Sequence, residues 1–88
     1  MKLKYRFAIT DMGKQKIAVA VGEGAESFRG FLKLNDAGAS ILEKLLDGMS
    51  FPELLSQMER EYPEESPEYV TAVVRDFLER LAAAGLAE

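Results

Sequence analysis

The stretch FLKLNDAGASILEKLLDG, residues 31–48, contains the point at which the spacing of apolar side chains changes. Before Asn35, Phe31 and Lys33 alternate with Leu32 and Leu34, so the two sets would lie on opposite faces of a strand. After Asn35, apolar residues fall four, five, eight and nine positions beyond Ala37, which is typical of a helix with one buried face. Asn35 is a favourable helix N-cap, and Gly48 is a favourable stop. The stretch therefore predicts a strand that leads directly into a capped helix.

Two alternating segments precede this stretch and predict a β-hairpin, with turn residues between them. The residues that share one face are Tyr5, Phe7 and Ile9 in the first segment and Ile17, Val19 and Val21 in the second. Residues 22–27 contain two glycines and little apolar bulk, so they predict a loop. Residues 28–34 predict a third, irregular strand with Gly30 as a candidate bulge.

Two further helix starts follow, and each is marked by a serine and a proline. Ser50 and Glu53 have the spacing of a capping box, and Ser66 is followed by Pro67 at the first helical position. The order of elements is thus three strands and then three helices. This order predicts an antiparallel sheet and the α+β class.

The composition excludes several kinds of site. The chain has 88 residues, without Cys or His, so it has no ligands for a zinc finger, an iron–sulfur cluster or a haem held by those residues. Ser-His-Asp and Cys-His catalytic arrangements are excluded for the same reason. No spacing of carboxylates matches a metal-binding motif. We expect a binding module that is not an enzyme and needs no metal or cofactor.

Apolar runs in the sequence are short. None approaches the ~20 residues that a membrane-spanning helix needs, and the N-terminal residues lead into no signal-peptide core. The absence of Cys fits a cytoplasmic protein. We therefore expect a cytoplasmic location and no membrane partner.

Charge is distributed unevenly along the chain. Residues 1–35 carry seven Lys/Arg and three Asp/Glu, a net charge of +4, whereas residues 36–88 carry four Lys/Arg and twelve Asp/Glu, a net charge of −8. Nucleic-acid-binding domains concentrate Lys and Arg on the element that meets the phosphates, so the acidic helical part argues against a nucleic-acid partner. The charges are interpreted first as a solvated face, and alternatively as a basic N-terminal edge that selects a partner.

An ordered set of residues resembles the signature of the PqqD-like family, the coenzyme PQQ synthesis protein D family, also described as the RiPP recognition element. The set consists of Leu34-Asn35, Gly38, Ile41-Leu42 and Leu45-Leu46-Asp47-Gly48, followed by Tyr62, Val74, Phe77-Leu78, Leu81 and Gly85-Leu86. The resemblance covers essentially the whole chain and implies a single PqqD-like domain over residues 1–88. The implied fold is a small winged-helix-like domain in which a three-stranded antiparallel sheet packs on three α-helices.

The resemblance also implies a function in natural product biosynthesis. Family members bind the leader segment of a ribosomally synthesised precursor peptide and present it to a modifying enzyme, often a radical SAM protein. The peptide adds as a strand beside the third strand, in a groove whose other wall is the third helix. The implied protein is a non-catalytic peptide chaperone with a precursor peptide and an enzyme as its partners.

The predicted peptide site combines the third strand and the third helix. An edge strand offers unpaired N–H and C=O groups with which a peptide can pair. Leu32 and Leu34 are expected to face the core, whereas one flank of the third helix is expected to form the groove wall. The predicted peptide-binding residues are Arg29, Phe31, Lys33, Leu34, Val70, Thr71, Val74, Arg75 and Leu78.

Within this site, Arg75 together with Lys33 or Arg29 is expected to hold an acidic residue of the leader. The simpler interpretation is that these three cations are solvated and that Val74 and Leu78 are core residues. Two other functions remain open at this point: a winged-helix DNA-binding regulator, and a structural or regulatory subunit that forms a homodimer through its sheet edge.

Overall fold

The computed structural model of the protein describes residues 2–22 and 30–87. Within these ranges three strands are followed by three helices. The elements are β1 (Arg6–Asp11), β2 (Lys16–Val21), β3 (Leu32–Leu34), α1 (Asp36–Leu46), α2 (Phe51–Glu61) and α3 (Pro67–Ala83). The strands form one antiparallel sheet in the order β1-β2-β3, which confirms the predicted α+β class and the βββααα order.

The two longer strands form the predicted hairpin. Its turn is closed by a hydrogen bond of 2.8 Å from the backbone N–H of Met12 to the carbonyl of Gln15. The Asp11 carboxylate accepts a second bond of 2.9 Å from the N–H of Gly13, whose φ of +87° favours glycine. The turn therefore fixes the register of β1 against β2.

This register decides which face of β2 meets the core. Ile9 lies opposite Ala18, and directly opposite residues project on the same side of a sheet. Ala18 is consequently buried, whereas Val19 and Val21 are exposed. The predicted grouping of Ile17, Val19 and Val21 on one face is retained, but this face points away from the core. On β2 the core-facing residues are small: Ala18, which is buried, lies opposite Ile9, and Ala20, which is partly buried, lies opposite Phe7.

The third strand is shorter than predicted. It covers three residues, Leu32–Leu34, and Phe31 lies just before it, outside the ladder. Gly30 has a φ of +107°, so the backbone leaves the extended conformation at the position predicted as a bulge. Residues 28 and 29, where the strand was predicted to begin, and the predicted loop after Gly22 lie outside the described residues.

All three helices begin at the predicted caps. The side chains of Asn35, Ser50 and Ser66 accept hydrogen bonds from the backbone N–H groups of Gly38, Glu53 and Tyr69, at 2.7, 3.4 and 3.1 Å. The capping box at Ser50 differs in one detail, because the Glu53 carboxylate accepts from the Ser50 hydroxyl at 2.9 Å. Each cap satisfies an amide that has no partner inside its helix.

The core lies between the sheet and the helices, and the C-terminal tail closes it. The largest fully buried side chains are Ile41, Leu42, Leu54, Met58, Val74 and Leu86. Leu3 and Ala87 form an isolated antiparallel bridge, and the N–H of Lys4 donates to the carbonyl of Leu86 at 2.9 Å. No helix within residues 2–22 and 30–87 is long and apolar enough to cross a membrane.

Candidate functional site

β3 is an edge strand. β2 pairs with it on one side, through Ala18 opposite Leu32 and Lys16 opposite Leu34. On its other side, the described part of the chain carries no strand. An edge of this kind presents N–H and C=O groups with which an extended chain can pair.

A groove runs between β3 and α3, and we refer to it as the edge groove. Its lining residues are Leu32, Lys33, Leu34, Asn35, Gly38, Ile41, Val73, Asp76, Phe77, Arg80 and Leu81. Its volume of about 200 Å³ is below the range of about 300–1,000 Å³ that is usual for small-molecule sites. The edge groove is therefore suited to one or two side chains of an extended peptide rather than to a large cofactor.

The helical wall of the edge groove follows from the period of α3. Val73, Phe77 and Arg80 are four and three positions apart, so they lie on one face of the helix. Gly38 of α1 lies against this face, where a Cβ atom would come within 3.1 Å of the Phe77 ring. A glycine at this position allows the Phe77 ring to lie close to α1 and line the groove.

Charge is placed at the rim of the edge groove. The Arg80 Nε and an Asp76 carboxylate oxygen are 3.0 Å apart, and both side chains are well exposed. Lys33 on β3 is also exposed, and no ion pair of Lys33 occurs among the described residues. The groove thus combines apolar side chains, Val73 and Phe77, with cationic groups on both the strand and the helix.

The strand part of the predicted site is close to what the structure contains. Lys33 and Leu34 line the edge groove, and Leu34 is buried, as expected for a core-facing residue. Leu32 is partly buried against the core. Phe31 is 53% exposed and precedes β3 without lining the groove. Arg29 lies outside the described residues.

The helix part of the predicted site lies elsewhere on α3. Val70, Val74 and Leu78 are buried in the core. Thr71 and Arg75 line a shallow depression with Pro67, Glu68 and Ala72, away from β3. The predicted flank is therefore not the wall of the edge groove. The helical residues that form this wall are Val73, Asp76, Phe77, Arg80 and Leu81.

Sequence reasoning missed this flank because α3 has apolar residues on an unusually wide arc. Val73 and Phe77 belong to that arc, and both are partly buried against the core. The period shows that the helix has two apolar flanks, but the flank that meets β3 depends on how α3 packs on the sheet. Arg80 was missed for the same reason, since it lies one turn beyond Phe77 on that flank.

Metal binding has no candidate in the part of the chain that the structure describes. No three Asp or Glu side chains within residues 2–22 and 30–87 converge in a way that could hold an ion. The acidic residue in the edge groove, Asp76, is paired with Arg80.

Comparisons with known proteins agree with this fold. A solved structure described as "TbiB1 in Complex with the TbiA(beta) Leader Peptide" is similar, with a TM-score of 0.74 and 23% sequence identity, covering 100% of this chain and 95% of that chain. No curated protein matches the sequence. The family model for coenzyme PQQ synthesis protein D (PqqD) matches residues 22–87, which are 66 of the 88 residues and include β3 and all three helices. The chain belongs to the coenzyme PQQ synthesis protein D (PqqD) family.

Proposed function

We propose that this protein is a non-catalytic module that binds the leader segment of a ribosomally synthesised precursor peptide and presents it to a modifying enzyme. The edge groove carries the proposal, because it places the edge of β3, which no further strand within residues 2–22 and 30–87 pairs with, beside an apolar helical wall. Membership of the PqqD family and similarity to TbiB1, whose structure was solved with a leader peptide, support it.

The peptide adds to the sheet as a strand beside β3. Each backbone hydrogen bond contributes about 0.5–1.5 kcal/mol net, so a ladder along three residues contributes only a few kcal/mol. Micromolar affinity requires about 8 kcal/mol. Apolar side chains of the peptide must supply the rest, at about 1.5–3 kcal/mol for each one that is fully buried. Val73 and Phe77 are the surfaces against which they are buried.

The chemistry is carried out by a separate enzyme, for which a radical SAM protein is our first candidate. This chain has no Cys or His, and the charged groups of its groove are an exposed ion pair and one lysine. We place the protein in the cytoplasm, where ribosomally made precursors first become available.

The proposal is tested with synthetic peptides that cover the short reading frames next to its gene, titrated into isotope-labelled protein. We expect NMR amide shifts over residues 32–34 and 73–81, with little change at Ser56 and its neighbours in α2. N-methylation at successive peptide positions should weaken binding at every second position, because alternate amides of an added strand point toward β3.

Two variants complete the test. Phe77→Ala removes the largest apolar surface of the helical wall and should weaken peptide binding at least tenfold. Ser56→Ala, on an exposed part of α2, should leave the affinity unchanged. Peptide shifts confined to α2, or N-methylation effects without the two-residue period, would contradict strand addition at β3.

A further inference from the structure

A second depression lies next to the edge groove, and we refer to it as the tyrosine hollow. Its lining residues are Asn35, Ala37, Met58, Tyr62, Glu65, Tyr69, Val70 and Val73, and its volume is about 210 Å³. Asn35 and Val73 line both depressions, so the two are contiguous. A cavity of about 150 Å³ already holds a benzene ring, so the tyrosine hollow is large enough for one long side chain.

The floor of the tyrosine hollow is apolar and its walls are aromatic. Met58 and Val70 are buried beneath it. Tyr62, the residue that caps the end of α2, is partly buried at one side. Tyr69, in the first turn of α3, is 55% exposed. Aromatic faces of this kind attract cations and the aliphatic stems of long basic side chains.

The charge around the tyrosine hollow is negative. The Lys44 ammonium is paired with Glu61, and the Lys16 ammonium lies 4.0 Å from an Asp36 carboxylate oxygen, so each of these two carboxylates has one cation beside it. Glu65 lines the hollow and Glu64 precedes it, and neither has an ion pair among the described residues. Burial raises the pKa of the Tyr62 hydroxyl, and the charges of Glu61, Asp36 and Glu64 raise it further. The Glu65 carboxylate in the lining, which has no ion pair among the described residues, favours an added cation at this position.

We propose that the tyrosine hollow binds an arginine or lysine side chain of the peptide, at the position just beyond its pairing with Leu34. This inference rests on the proposed function. β3 ends at Leu34, and a chain that continues past it meets Asn35 and then the tyrosine hollow. The aliphatic stem contacts the tyrosines and the charged end reaches Glu65. A neutral apolar residue fills the same floor without pairing the carboxylate, and an acidic residue is repelled.

The first test uses small probes, so that it does not depend on knowing the peptide. N-acetyl-arginine amide, titrated into labelled protein, should shift the amides of Tyr62, Glu65 and Tyr69. N-acetyl-citrulline amide has nearly the same shape without the charge, and it should bind at least threefold more weakly. Equal binding of the two probes, or arginine-induced shifts spread over other parts of the surface, would overturn the inference.

The second test uses protein variants with the same arginine probe. Glu65→Gln should weaken binding about threefold and remove the preference for arginine over citrulline. Glu68→Gln, a matched change three residues away and outside the tyrosine hollow, should leave both unchanged. An unchanged preference in Glu65→Gln overturns the assigned role of that carboxylate.

The two proposals fail in different ways. A peptide that pairs along β3 but shows no preference for a basic residue beyond Leu34 overturns the inference and leaves the proposed function standing. An arginine-selective hollow in a protein whose β3 amides respond to none of the neighbouring peptides overturns the proposed function, and with it the assignment of that side chain to a bound peptide.

Discussion

At the scale of single residues, Gly38 controls the depth of the edge groove. A Cβ atom at this position would lie 3.1 Å from the Phe77 ring and 3.1 Å from the Asn35 side-chain oxygen that caps α1. The Phe77 ring lines an open groove, so it can move outward when it is crowded. The absence of a side chain at Gly38 thus determines how much space the edge groove offers to a peptide.

We predict that Gly38→Ala preserves the fold but weakens peptide binding. Alanine favours a helix over glycine by up to about 1 kcal/mol, and crowding of a packed site costs about 1–3 kcal/mol. The two effects offset one another, so the free energy of unfolding should fall by no more than about 2 kcal/mol. The displaced ring narrows the edge groove, and peptide affinity should fall about tenfold.

Urea denaturation and fluorescence anisotropy with a labelled peptide measure these two quantities. Glu43→Ala, an exposed change on the same helix, serves as the control and should leave peptide affinity unaltered. Full affinity in a well-folded Gly38→Ala protein would show that the depth of the groove is not important for binding.

At the scale of elements, a small polar network joins α1 to α2. The Ser40 hydroxyl donates to one oxygen of the Glu61 carboxylate at 2.7 Å, and the Lys44 ammonium pairs with the other. Lys44 also donates to the Ser40 hydroxyl at 2.6 Å. Partial burial raises the pKa of the Glu61 carboxyl, but the hydrogen bonds from Lys44 and Ser40 outweigh that effect and hold it below its ordinary value of 4.5.

This network predicts a pH-dependent contribution to stability. A carboxyl whose folded pKa is lowered stabilises the fold above its ordinary pKa and loses that effect as the pH falls through the folded value. Glu61→Gln should therefore lower the free energy of unfolding by about 1 kcal/mol or less at pH 7, since exposed ion pairs contribute little. The difference from the parent protein should shrink below pH 4.5, the ordinary value.

Urea denaturation at a series of pH values checks this expectation, with Glu59→Gln as the exposed control on the same helix. A destabilisation by Glu61→Gln that persisted undiminished at low pH would indicate a packing effect instead of the loss of a charge.

Elements also show where sequence reasoning succeeds. The helices were predicted well because their signals are local, as at Asn35, where a cap and its amide are three residues apart. Which face of β2 points away from the core was not predictable, because it depends on the register in which β2 pairs with β1. The flank of α3 predicted as the groove wall differs from the flank that lines the edge groove, because apolar residues on both flanks look alike until β3 is placed beside one of them.

At the scale of the whole molecule, the sheet and the helices differ in charge. Residues 36–88 carry a net charge of −8, and they include all three helices. A winged-helix regulator would have to place one of these helices against DNA phosphates. The negative charge of the helices would repel DNA phosphates. We therefore expect partners to contact the exposed apolar and cationic groups of the sheet.

We predict that the protein does not bind duplex DNA measurably, even at low ionic strength, where electrostatic attraction is strongest. Fluorescence anisotropy with a labelled random-sequence duplex provides the measurement, with a labelled peptide ligand as the positive control. DNA binding that fell steeply as salt was added, as counterion release requires, would favour the regulator instead.

The brevity of β3 has a consequence for how the protein avoids binding to itself. Exposed strand edges are templates for aggregation, and one natural safeguard is to keep them very short. A second copy that offered the same three residues would gain few hydrogen bonds and no deep anchor. Stable binding therefore requires a peptide whose bulky side chains also pack against α3. The shortness of β3 thus disfavours self-association and binding to chains that lack such side chains.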